Sequence, residues 1–215
     1  TYMPFSVMQR YISQALSVPG VRGIVLATRP DCLSTSWLDY LEHLSRQTFV
    51  MVELGIESVN DDVLRQIGRG HDVATSAQAV RQLHLRGIHV GVHFILGLPG
   101  ESRESQLQQA FEASRWQVDS VKLHQLQILR GSRFARQYAE FPERFSLFSL
   151  PDYVSLVADF IERLHPAIAV ERFVSQSPAS LLIAPRWGVK PDEVVRLVCS
   201  TLAERRTQQG ILCPL

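Results

Sequence analysis

The chain has 215 residues, 46% hydrophobic and 20% charged, with a formal net charge of +1. That is the composition of a globular protein able to bury a full core, and the near-neutral charge argues against a strongly basic nucleic-acid domain. Nucleic acid stays a possible partner, through a local patch, without positive support. No apolar run approaches the roughly 20 residues that span a bilayer, and residues 1–10 lack a charged segment followed by an apolar one. A soluble, cytoplasmic protein with no membrane partner is the expectation. Cys32, Cys199 and Cys213 lie far apart, so they read as inert thiols and supply no metal ligands.

Residues 5–17 read as an amphipathic helix with no strand before it. Residues 23–28 (G-I-V-L-A-T) form the first β-rich run, followed by a helix over 35–47 capped by Ser34 or Thr35. The second strand spans 49–58. Asn60, Asp61 and Asp62 then start a short helix ending near Gly68, and a longer helix runs over 75–86 until Gly87 stops it. A third strand over 89–97 leads to a helix over 102–117, and a fourth strand covers 120–129. Such alternation predicts β/α units around a parallel sheet. Beyond Gly131 two helices, 151–164 and 191–208, flank a β-rich stretch at 167–175. The expected fold class is therefore α/β: a partial parallel (β/α) barrel over residues 1–131, with a C-terminal α/β extension over 132–215 packed on it. A closed barrel of eight strands takes about 250 residues, so strands upstream of this chain are expected to be missing. An open sheet follows, with the edge of the first strand and Met51 exposed, remedied by a homodimer or by residues 1–17 folding over the gap.

Strand side chains alternate between faces. In the second strand Val50, Val52, Leu54 and Ile56 form the apolar face, leaving Met51, Glu53, Gly55 and Glu57 opposite. The third strand sets Val90, Val92, Phe94 and Leu96 against His89, Gly91, His93, Ile95 and Gly97. The fourth sets Val121 and Leu123 against Lys122 and His124. A filled barrel core would be branched and apolar, so this interior reads as a cavity with contents or as a buried polar network such as Glu53 with Lys122. Glu57 and His93, near the strand ends, are the better ligand candidates.

Four strings carry more than pattern: T-R-P-D-C (28–32), E-L-G-I-E-S-V-N-D-D-V-L-R-Q-I-G-R-G-H (53–71), H-F-I-L-G-L-P-G-E (93–101) and K-L-H-Q-L-Q-I-L-R-G (122–131). In this order they resemble the radical S-adenosylmethionine (radical SAM) superfamily, and with L-L-I-A-P-R-W (181–187) the resemblance is closest to the YhcC-type members. The resemblance implies a barrel that binds SAM at a [4Fe-4S] cluster held by three cysteines, and reductive cleavage of SAM to a 5′-deoxyadenosyl radical. It further implies that Glu57 contacts SAM, that Arg69 reaches its carboxylate, and that His93 falls at a ribose position. By the same resemblance Ile95 lies against adenine, Gly97 shapes the adjoining turn, and His124 and Gln127 flank the adenine.

No cysteine triad is present in this chain, so the cluster ligands are expected in a preceding segment of the full-length parent. The 215-residue chain alone is then expected to be inactive, with no catalytic residue assigned and the substrate unknown. One alternative is a metal-dependent hydrolytic barrel using His93, Glu57, His124 and Asp31; another is a non-catalytic binding or scaffold remnant.

Overall fold

The computed structural model describes residues 3–214, so Thr1, Tyr2 and Leu215 lie outside the described residues. Helix α1 (Phe5–Leu16) leads into strand β1 (Gly23–Thr28), and α2 (Thr35–Ser45) into β2 (Phe49–Glu57). Two helices follow, α3 (Asp61–Ile67) and α4 (Val73–His84), and then β3 (His89–Leu96), α5 (Arg103–Arg115) and β4 (Ser120–Gln125). Helices α2 to α5 begin where side chains cap them. Ser34 accepts from the Trp37 N–H, Asn60 from those of Asp62 and Val63, Asp72 from Thr75, and Ser102 from Ser105.

The order of the main sheet is β1-β2-β3-β4-β6, all parallel, where β6 is Ala169–Arg172. Helix α7 (Leu150–Arg163) makes the crossover between β4 and β6. It packs on α5 and on α8 (Pro191–Glu204), and its Tyr153, Leu156, Val157 and Phe160 belong to the same core as the strands. The segment beyond residue 131, expected as an extension packed on the barrel, thus supplies one strand and one helix of the barrel itself. What remains outside the main sheet is a small antiparallel pair, β5 (Ile128–Leu129) with β7 (Leu182–Ala184), with α6 (Arg133–Glu140) packed on β5.

The fourth strand was expected to run to Leu129 and instead stops at Gln125. There the Gln125 amide takes over the pairing, donating to Ser175 O (3.0 Å) and accepting from Ser175 N (2.8 Å), so the ladder gives way to a side-chain clamp. α6 was not anticipated.

The apolar face of each central strand points outward to the helices: Val52, Leu54, Ile56, Val90, Val92, Phe94, Leu96, Val121 and Leu123 are all fully buried. Strand β1 ends the sheet among the described residues, and its Val25 is 53% exposed. Met51, expected to be exposed, is only 8% so. Nor does α1 fold over the interior. Its Phe5 ring meets Trp37 and Tyr40 edge-on at 4.8 and 5.5 Å, placing α1 in the outer helical layer. No helix among the described residues is long and apolar enough to cross a membrane.

Inside the sheet, Lys122 of β4 donates to Glu53 of β2 across β3, and His93 of β3 stands 3.0 Å from the other Glu53 oxygen. Gly91 lies level with Glu53 in the register, and a side chain there would strike Met51 and Ser120 at under 3 Å. Desolvation pushes the Glu53 carboxyl up, but the hydrogen bond and charge of Lys122, with His93, hold it below the ordinary value. Lys122→Met leaves that carboxylate buried with one partner and is expected to lower stability to urea by about 3 kcal/mol, most of it recovered when Glu53→Gln is added. A single variant as stable as the wild type would show the pair to be dispensable.

Candidate functional site

The carboxyl ends of β2, β3 and β4 open on one cavity of about 420 Å³. Glu57, the last residue of β2, has φ +71, in the left-handed region that a non-glycine residue rarely adopts, next to a register shift between Gly55 and Glu57. The kink turns its side chain toward the cavity. Arg69 comes to the same place by a different route. α3 ends on Gly68 in the left-handed conformation (φ +76), and the Arg69 N–H reaches back to Leu64 O (2.9 Å), which closes the helix and swings the Arg69 side chain over the end of β2. There its guanidinium donates to Gly55 O and lies 3.4 Å from Glu57 Oε1. A Cβ on Gly55 would stand 2.8 Å from Glu57 and 3.1 Å from Arg69, so a side chain there would displace the tips of this pair. Burial raises the Glu57 carboxyl above its ordinary value despite the nearby guanidinium. Arg69 Nε is buried without a hydrogen-bond partner.

Ile95, His124 and Gln127 line the same cavity, so five of the seven residues singled out by sequence converge. His124 is held through Nδ1 by Ser175 Oγ at 2.6 Å, while its Nε2 is buried and unpaired. Burial, followed by the neighbouring His93, Arg172 and Lys122, lowers it to about 4, so the ring is neutral at physiological pH. The remaining two stand elsewhere. His93 lies one layer below, its ring 5.4 Å from that of His124 and its Nε2 on Glu53, because the register sets it beside Gly55 and Lys122. Gly97 (φ +91) donates its N–H to Gln106 and faces Phe148, which a side chain there would strike at 2.9 Å.

Sequence reasoning missed Ser175, Arg133 and Phe134, which also line the cavity. The α6 pair was legible: Ser132 caps the helix, and Phe134, Ala135 and Tyr138 share one face. Ser175 was not, since only the crossover through α7 brings it beside β4.

Residues 5–108 match the family model described as the radical SAM superfamily, and residues 118–204 match that of the radical SAM C-terminal domain. The chain belongs to the radical SAM superfamily. It is 34% identical over 210 residues to YtqA of Bacillus subtilis (strain 168), covering 98% of this chain and 65% of that relative. With YhcC of Escherichia coli (strain K12) it shares 32% over 188 residues, 87% of this chain and 60% of the relative. The chain thus spans about two thirds or less of the length of these relatives. Among solved structures, the archaeal Methanocaldococcus infernus Elp3 with an N-terminal deletion shares the fold, with a TM-score of 0.76 at 20% identity over 87% of this chain and 43% of that one.

Members of the radical SAM superfamily bind SAM together with a [4Fe-4S] cluster. The cavity fits the first of these. Its lining includes Arg69 and His124, each with a side-chain nitrogen that has no partner, together with the apolar Ile95. A cluster finds no matching donors here: among the described residues no three His, Cys, Asp or Glu side chains gather as metal ligands. The same observation removes the hydrolytic metal barrel. Its four expected ligands do not gather: Glu57 stands beside Arg69, His93 on Glu53, His124 bonds Ser175 through Nδ1, and Asp31 makes a two-point contact with Arg29 at 2.9 and 2.6 Å.

Behind the cavity wall, Glu101 of the G-L-P-G-E turn joins three segments of this radical SAM barrel. Its Oε1 accepts from Ser58, the residue after Glu57, and from Gln109 of α5 at 3.1 Å. Glu101 Oε2 and Gln109 Oε1 are both buried acceptors without a donor. Burial, against those two hydrogen bonds, pushes the carboxyl from the ordinary 4.5 to about 7. The folded chain therefore holds this proton more tightly than the unfolded chain does. The contribution to stability is full below pH 4.5 and is lost as pH rises through about 7. Between pH 5 and 8 the wild type is expected to lose on the order of 3 kcal/mol against Glu101→Gln. Parallel urea midpoints for both proteins across that range would contradict the assignment.

Proposed function

We propose that this chain carries the SAM-binding part of a radical SAM enzyme, with the cavity at the ends of β2, β3 and β4 as the SAM site. The observation that carries this reading is Arg69: a guanidinium fixed by Gly55 O and Glu57 in the lining of a cavity large enough for a nucleoside. A group that is always charged and offers paired donors suits a carboxylate, so Arg69 takes the methionine carboxylate of SAM. Glu57, beside it, accepts from the amino or ribose end. Ile95 gives adenine an apolar face, and the neutral His124, positioned by Ser175, offers one ring nitrogen to the base edge. Gln127 closes the side of the cavity nearest Ser175. His93 acts from beneath, supporting the His124 ring, and Gly97 shapes the turn without touching the ligand.

When bound beside a reduced [4Fe-4S] cluster, SAM supplies a 5′-deoxyadenosyl radical for hydrogen abstraction. No step of that chemistry is assigned to Cys32, Cys199 or Cys213.

Isothermal titration with S-adenosylhomocysteine tests the site without needing a cluster. Arg69→Ala is expected to weaken binding by about 1.5 to 3 kcal/mol, as for loss of a charged hydrogen bond, and Arg69→Lys by less. Equal affinity of wild type and Arg69→Ala would sink the assignment.

A further inference from the structure

Next to the proposed SAM cavity lies a second one of about 280 Å³, and the two share Gln125, Gln127 and Ser175 as a common wall. Most of its other lining comes from residues 174–194, which include the end of the L-L-I-A-P-R-W string that the SAM site leaves unused. Trp187 stands in this lining with its indole N–H donating to Phe148 O at 3.0 Å and its ring tilted against Tyr153 at 5.1 Å. It therefore offers the cavity carbon surface and no donor. Leu182, Val189 and Val194 continue that surface.

The polar groups of the shared wall are already committed. Gln125 holds the Ser175 main chain at both ends of its amide, and Gln127 Oε1 accepts from Ser177 Oγ at 2.7 Å. Among the described residues lining the cavity, none is a carboxylate, and the one permanently charged group is Arg186 at the exposed rim. Its Nε and Nη2 donate to Ile183 O at 3.2 Å and Leu182 O at 2.7 Å. Those carbonyls fix the guanidinium in position without cancelling its charge. A cation entering this cavity would meet no counter-charge, whereas an acid would meet a pre-positioned one.

We propose that this second cavity is the substrate pocket and that it takes a small organic acid, with an apolar body of one or two rings against Trp187 and a carboxylate at Arg186. The proposal rests on the neighbouring cavity being the SAM site. A radical formed there can take hydrogen only from a group within van der Waals reach, so a substrate pocket has to adjoin the SAM cavity, as this one does through its shared lining. The volume sits at the small end of known ligand pockets, about 300 to 1,000 Å³, which limits the body to a ring or two.

Indole-3-acetate and tryptamine carry the same ring with opposite charges, and serve as probes in a ligand-observed NMR titration of the full 215-residue chain. The acid is expected to bind at least about tenfold tighter than the amine, the scale of one charged contact. Arg186→Gln is expected to bring the two within about threefold, with S-adenosylhomocysteine affinity unchanged. Trp187→Ala is expected to weaken both probes. Because Trp187 also packs on Tyr153, the exposed Arg186 variant is the deciding one. Equal binding of the probes by the wild type, no binding of either, or a preference that survives Arg186→Gln would each overturn the proposal. If S-adenosylhomocysteine fails to bind while the Arg186-dependent preference holds, the SAM assignment falls and the acid pocket stands. The reverse pattern overturns the pocket alone.

Discussion

Glu53 and Lys122 belong to strands that are not neighbours, and their contact crosses β3, where Gly91 stands level with Glu53 and has no side chain to strike Met51 or Ser120. Everything above that level in the interior is stacked on this pair. His93 is held by the second Glu53 oxygen, the His124 ring lies against His93, and Ser175 pins His124 from the side of β6. Glu171 joins from β6 itself, 3.4 Å from Lys122 and hydrogen-bonded to Ser120. A buried pair of this kind contributes little net stability, since desolvation offsets most of its attraction. Its effect is on register: Glu53 stands level with Gly91 and Ser120, Lys122 with His93 and Gly55, and a slip of any of the three strands would part the charges.

The level above is organised by backbone geometry more than by charge. The left-handed Glu57 and the left-handed Gly68 each reverse the chain where the regular element ends, and the two reversals aim Glu57 and Arg69 at one point. A non-glycine residue in that region costs of order 1 kcal/mol or more and persists where its surroundings over-determine it. Here the surroundings are the Arg69 bond to Gly55 O and the Ser58 to Glu101 contact on the next residue. Such expense at the carboxyl ends of parallel strands agrees with where β/α barrels carry their chemistry.

The comparisons and the interior agree about the family and differ in what each explains. The motif strings place the chain in the radical SAM superfamily, and the archaeal Elp3 structure shares its fold. The geometry then separates residues that the strings alone treat alike. Ile95 and His124 line the cavity, while His93 and Gly97, on the same motifs, support it from below and from the turn.

The alternation of β2, β3 and β4, the starts of α2, α3 and α5, the polar interior and the Glu53–Lys122 pairing were legible in the chain, because a period of two and a capping side chain are local properties. The four motif strings further identified the family and five residues of one cavity. Three things depended on tertiary structure. Residues 169–172 read as part of an extension and became a strand of the main sheet, since a parallel neighbour is chosen by a crossover and not by the strand's own residues. The fourth strand ended at Gln125 because Ser175, fifty residues on, offered its main chain to the side-chain amide. The second cavity, closed by Trp187 and Arg186, arose from a segment whose sequence shows no periodicity of its own. Local patterns determined which faces are apolar and where elements begin; the packing of distant segments decided which polar groups met, because only the folded chain brings them within hydrogen-bonding distance.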